Sequence, residues 1–124
     1  MHTIHRQCFS KPWSEAEFAS MMAVPGTFAV TAEGKGFILC RTVLDETEIL
    51  TLCVLPAYRR QGVASFLLDE AFKRAKGTRF FLEVNENNRA ALALYSKTGF
   101  EVVGKRKKYY NNKDDAFIMR KDNV

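Results

Sequence analysis

The strongest constraint on this chain is an apolar run at residues 48–55 (EILTLCVL) that stops at Pro56 and is followed at once by a basic turn and a helix. A strand this apolar suits the middle of a sheet covered on both faces. Pro56 ends it, having no N–H for a ladder. From Gly62 the apolar period changes from two to 3.6. Val63, Phe66, Leu67, Ala71 and Ala75 recur on one side of a helix, with Asp69, Lys73 and Arg74 on the other, until Gly77. A buried strand delivering a helix through a short turn calls for a sheet with helices packed against it.

The remaining elements extend that pattern. Ser14 and Glu17 form a capping box that starts a short helix running to about Met22, and Pro25-Gly26 breaks it. Residues 27–31 and 37–43 read as strands around a Glu33-Gly34-Lys35-Gly36 turn. Residues 80–84 (FFLEV) form another strand. Residues 88–98 form a second amphipathic helix with Ala91, Leu92 and Tyr95 on one side and Gly99 as its stop. Residues 101–103 and 116–119 read as closing strands. The order α-β-β-β-α-β-α-β-β implies an α/β (α+β) fold with a mixed central sheet and flanking helices, formed as one domain over 1–124.

Composition excludes several classes. Hydrophobic residues at 47% and charged residues at 27% are ordinary globular values. No apolar run approaches the ~20 residues of a membrane helix, and residues 1–10 lack the apolar core of a signal peptide, so a cytoplasmic location is expected. Cys8, Cys40 and Cys53 are odd in number and lack Cys-x-x-Cys spacing. With only His2 and His5 beside them, neither a disulfide framework nor a metal site is expected. The net charge of +5 suits a polyanionic partner, such as a phosphorylated cofactor, nucleic acid or a ribosomal surface. Much of the excess lies at Lys105, Arg106, Lys107 and Lys108, a run that fits a solvated face as well as a binding surface.

The turn itself carries chemistry. Arg59-Arg60-Gln61-Gly62-Val63-Ala64-Ser65 opens a helix, where unpaired N–H groups and the positive end of the dipole meet. Gly62 and Ala64 lack bulk, so a phosphate can approach the backbone, and two arginines add charge. No Gly-Lys-Ser/Thr or Gly-x-Gly-x-x-Gly is present. Taken alone, Arg-x-x-Gly-x-Ala is equally compatible with a plain helix start.

Arg59 to Ala64 resembles the Gln/Arg-x-x-Gly-x-Gly/Ala signature of the GNAT N-acetyltransferase superfamily. Phe81-Leu82-Glu83-Val84, Asn87-Asn88-Arg89-Ala90-Ala91, Leu94-Tyr95 and Gly99-Phe100 are similar to the second half of that fold. Pro12-Trp13-Ser14, Arg106, Tyr109-Tyr110, Asp115-Ala116 and Met119 resemble the RimI-like branch, the bacterial ribosomal-protein-alanine N-acetyltransferases.

The resemblance implies acetyl-CoA as cosubstrate, with its pyrophosphate on the amides of Arg59, Arg60, Gln61, Gly62, Val63, Ala64 and Ser65. It implies a pantetheine arm that pairs like an added strand with Leu52, Cys53 and Val54, where one N–H polarises the acetyl carbonyl. Glu83 becomes the general base and Tyr95 the acid that protonates the departing thiolate. Cys53 is a packing residue, and transfer is direct. Without the resemblance, Glu83 reads equally as a glutamate on the wet face of a strand, and Tyr95 as a core aromatic. Asn88 resembles an asparagine that touches CoA, although helix N-capping competes for it. Trp13, Arg106 and Tyr109 resemble residues flanking the acceptor, which is implied to be a protein N-terminus, such as that of a small-subunit ribosomal protein. Direct binding to nucleic acid or a membrane is not expected.

The sequence departs from the family in three places. The family opens with a strand before its first helix, and here the chain begins almost at that helix. One sheet edge is then missing or covered by another chain, as in a homodimer. Ala64 replaces a commoner glycine, and Leu55 stands where an acidic residue often precedes the proline. Two rival readings are acetylation of a small amine or internal lysine, and a basic ribosome- or RNA-binding module that keeps the fold without turnover.

Overall fold

A computed structural model describes residues 14–110 and 114–123, the side chains of 108–110 excepted. Helix α1 (Glu15–Ala23) is followed by β1 (Thr27–Ala32), β2 (Gly36–Val43) and β3 (Glu46–Val54). After a 3-10 turn at Pro56–Tyr58 come α2 (Val63–Arg74), β4 (Thr78–Asn85), α3 (Arg89–Lys97), β5 (Glu101–Tyr110) and β6 (Asp114–Asn123). The order of elements is the one expected. Among the described residues the strands form one six-stranded sheet in the order β1-β2-β3-β4-β6-β5. Only β3 and β4 run parallel; the other neighbours are antiparallel. This is the mixed sheet with flanking helices that the sequence implies. The expectation that the family's first strand is missing concerns residues 1–13, which lie outside the described residues.

Local chemistry explains the ends of the elements. The Ser14 Oγ accepts from the Glu17 N–H, and the Glu17 carboxylate accepts from the Ser14 N–H, both at 3.1 Å, the reciprocal cap expected of this pair. Strands β5 and β6 run well past 101–103 and 116–119. The continuation of β5 is Lys105-Arg106-Lys107, where charge hides the strand pattern. Cross-strand pairing holds it instead: Lys105 Nζ lies 3.1 Å from Asp115 and 3.3 Å from Glu86, and 5.8 Å from the centre of the Phe117 ring. Asp115 and Glu86 hold the Lys105 ammonium above the ordinary lysine range.

The two faces of the sheet are covered unequally. On one, α2 and α3 pack Leu67, Leu68, Ala71 and Tyr95 against Ile38, Cys40, Ile49, Phe80, Leu82, Val84 and Met119. On the other, α1 sets Phe18 over Phe37, Leu39 and Cys53. Phe66, expected on the buried side of α2, is 48% exposed, and Leu68 takes the core position. Cys40 is buried, and desolvation pushes its thiol up to about 12, so it stays neutral.

The feature that positions the site is the short contact between β3 and β4. They pair only at Glu46, Thr47 and Glu48 with Arg79, Phe80 and Phe81. Immediately beyond, the β2–β3 register slips at Leu39/Cys40: Thr51 opposes Leu39, Ile49 opposes Cys40, and Leu50 is left over. A bulge of this kind bends a strand and raises its twist, which is the physical reason β3 leaves β4 here. It also explains why 49–54 does not alternate. Ile49, Leu52 and Val54 face the helices, whereas Leu50 and Cys53 face α1.

Candidate active site

Past Glu48, the β4-facing edge of β3 has no strand partner among the described residues, and neither does the β3-facing edge of β4 past Phe81, although β4 stays paired to β6 as far as Asn85. Two strand edges therefore bound a wedge that is open at their C-terminal ends. Leu52, Cys53 and Val54 lie along one wall, and Glu83 lies on the other. Exposed ladder groups of this kind can pair with an extended, amide-bearing ligand as an added strand.

The basic turn sits at the mouth of this wedge. Gly62 is the N-cap of α2, with φ 80° and no side-chain cap bond. Among the described residues nothing accepts from the N–H groups of Val63, Ala64 and Ser65, whereas Phe66 already donates to the Gly62 carbonyl at 3.0 Å. Arg60 also has positive φ, 61°. Alternating left- and right-handed residues turn successive N–H groups toward a concavity that suits an anion, and the helix dipole acts in the same sense. A Cβ built on Gly62 would meet nothing within 4 Å, so the space above it is open. Arg59 is partly committed: its Nε donates to the Val54 carbonyl at 3.0 Å, tying the turn to the end of β3. The Gln61 Nε2 donates to the Ala57 carbonyl at 3.1 Å.

Glu83 and Tyr95 lie on opposite sides of the sheet. Glu83 alternates with the buried Leu82 and Val84, so its side chain points to the α1 face. There Arg106 NH2 binds its Oε1 at 2.9 Å. Tyr95 is buried on the helix side with its ring against Phe100, centroids 5.6 Å apart. Asn88 is the N-cap of α3: its side chain accepts from the Ala91 N–H at 3.2 Å, the competing role noted for it. Trp13 and the Tyr109 side chain lie outside the described residues.

The comparisons with known proteins fit this geometry. The family described as "Acetyltransferase (GNAT) family" matches residues 1–100. The chain belongs to the GNAT acetyltransferase family. It is therefore an acetyl-CoA-dependent N-acetyltransferase. It is 39% identical to the N-alpha-acetyltransferase RimI of Mycobacterium tuberculosis, over 90% of this chain and 76% of that one. It is 38% identical to the [ribosomal protein bS18]-alanine N-acetyltransferase of Escherichia coli K12, over 94% of this chain and 84% of the relative. The crystal structure of the Escherichia coli ribosomal-protein-S18-alanine N-acetyltransferase superposes with a TM-score of 0.89 at 31% identity, covering 99% of this chain and 85% of that one.

Two GNAT-site neighbours were not legible beforehand. Lys35 and Phe66 line a depression of about 400 Å³ beside Gly62, together with Ala32, Glu33, Gln61 and Val63. Lys35 read as a turn residue and Phe66 as core. Lys35 reaches the turn because its carbonyl accepts from the Leu55 N–H at 2.8 Å, which ties the β1–β2 hairpin to the end of β3. Asp114 accepts from Asn85 Nδ2 at 3.2 Å and from Asn87 Nδ2 at 2.9 Å, joining the loop before α3 to the start of β6. The Asn-rich loop was the available signal, but its partner lies 27 residues or more away.

Proposed function

We propose that this chain, working as one domain over 1–124, acetylates the N-terminal α-amino group of a ribosomal protein of the bS18 type. Glu83 acts as base and Tyr95 as acid, and the location is the cytoplasm where ribosomes are made. The observation that carries the reading is the β3–β4 wedge, with an anion-suited turn at its mouth and Glu83 on the β4 wall. The relatives' names supply the acceptor class.

In this reading the acetyl-CoA pyrophosphate rests on the amides of residues 59–65, with Asn88 nearby, and the pantetheine arm pairs with Leu52, Cys53 and Val54. Acceptor nitrogen approaches from the α1 face, near Trp13, Arg106 and Tyr109. It loses a proton to Glu83, attacks the acetyl carbon, and the C–S bond breaks as Tyr95 protonates the thiolate. Neither described cysteine suits an acyl-enzyme: Cys53 is 2% exposed and Cys40 is fully buried.

The test combines purified protein, acetyl-CoA and an acceptor panel, with CoA release and peptide mass as readouts. The panel holds a ribosomal-protein N-terminal peptide beginning with alanine, the same peptide with its α-amine blocked, an internal-lysine peptide and a small diamine. Acetylation confined to the first peptide is expected. Preferred turnover of the lysine peptide or the diamine moves the chain to another acceptor class.

A further inference from the structure

The ion pair on the α1 face has a use beyond holding β5 in place. We infer that Arg106 is the resting counter-ion of Glu83 and that the acceptor's ammonium displaces it; this rests on the reading of Glu83 as the base. Arg106 lies on β5 and Glu83 on β4, with β6 between them. The residue opposite Arg106 in the ladder is Ala116, whose side chain is only a methyl group. The guanidinium meets the Glu83 carboxylate at 2.9 Å across β6. The neighbouring Lys105 is tied to two carboxylates on the opposite face, so the basic run divides its residues between the two faces.

The Arg106 side chain is 55% exposed and that of Glu83 26%. Water reaches both partners and screens the pair, so it holds only weakly. A second cation that brings its own contacts can displace it. An arriving α-ammonium is such a cation. It pairs with Glu83, gives up a proton to it, and the freed amine attacks the thioester. The product is a neutral amide with no attraction for the carboxylate. The proton passes from Glu83 to water, and Arg106 returns to the carboxylate.

This predicts an unusual result, measured with an N-terminal-alanine peptide at saturating acetyl-CoA. Arg106→Gln removes a competitor, so the acceptor KM should fall about two- to fivefold. Affinity for the N-acetylated peptide should not change, and Arg106→Lys should restore the wild-type KM. A KM that rises in Arg106→Gln would show direct contact with the acceptor and overturn the inference, as would an unchanged KM. Calorimetry in a Glu83→Gln background separates the two ideas: adding Arg106→Gln there should leave acceptor affinity unaltered. If Glu83→Gln alone keeps wild-type turnover, the base assignment itself fails, whatever Arg106 does.

Discussion

The two ends of the β3–β4 pair are built in opposite ways. At the closed end the chain satisfies every group it can. The Thr47 hydroxyl, fully buried, lies 2.8 Å from both the Thr42 and Thr78 hydroxyls, and Thr78 donates to the Ala75 carbonyl at 2.7 Å. The Arg79 N–H adds a bond to the Asp45 carbonyl at 2.7 Å. At the open end the strand edges face no strand, and the first N–H groups of α2 have no acceptor among the described residues. A diverging strand edge beside a helix N-terminus is a geometry that an extended, anionic ligand can pair with. The closed end fixes the angle between the strands, and the open end uses it.

Breaking the open end should cost most. Glu83→Gln is expected to lower turnover by about 10²- to 10⁴-fold, with acetyl-CoA affinity by calorimetry nearly intact; Tyr95→Phe should follow the same pattern with a smaller loss. Wild-type rates in both variants would strip the two side chains of their chemical roles. Gly62→Glu puts a side chain into a left-handed position and a like charge beside the pyrophosphate. It should weaken acetyl-CoA binding by about 10²-fold or more, since a misplaced like charge costs several kcal/mol. Unchanged affinity would remove the turn from the site.

The closed end should respond differently. Thr47→Val keeps the shape and removes the hydroxyl. A destabilisation of about 1–3 kcal/mol in urea is expected, with a modest rise in the acetyl-CoA KM as the wedge loosens. Loss of stability with no change in KM would confine the hydroxyl chain to folding. Ser14→Ala is the distant control: loss of the cap should cost about 0.5–2 kcal/mol and leave both kinetic constants alone.

Much of this was legible in the sequence. The capping box at Ser14, Pro56 ending an apolar strand, and the change of period at Gly62 gave the order of elements, because each depends on neighbours a few residues away. Glu83 in its apolar strand and the Arg-Arg-Gln-Gly turn were visible for the same reason. The extent of β5 was not, since Lys105-Arg106-Lys107 look like a solvated run until Asp115, Glu86 and Glu83 appear across the sheet. Phe66 and Leu68 exchanged places because a helix of this length offers more than one apolar face, and only packing chooses between them.

Local pattern, then, determined which segments are strands and helices, and which residue types open α2. Tertiary structure alone decided where β3 parts from β4, that Glu83 and Tyr95 stand on opposite faces, and that Arg106 reaches Glu83 across β6. Those outcomes depend on a one-residue bulge and on pairings between strands far apart in the chain. Spacing along the sequence does not encode them, because the energy that selects them comes from contacts formed only once the sheet has assembled.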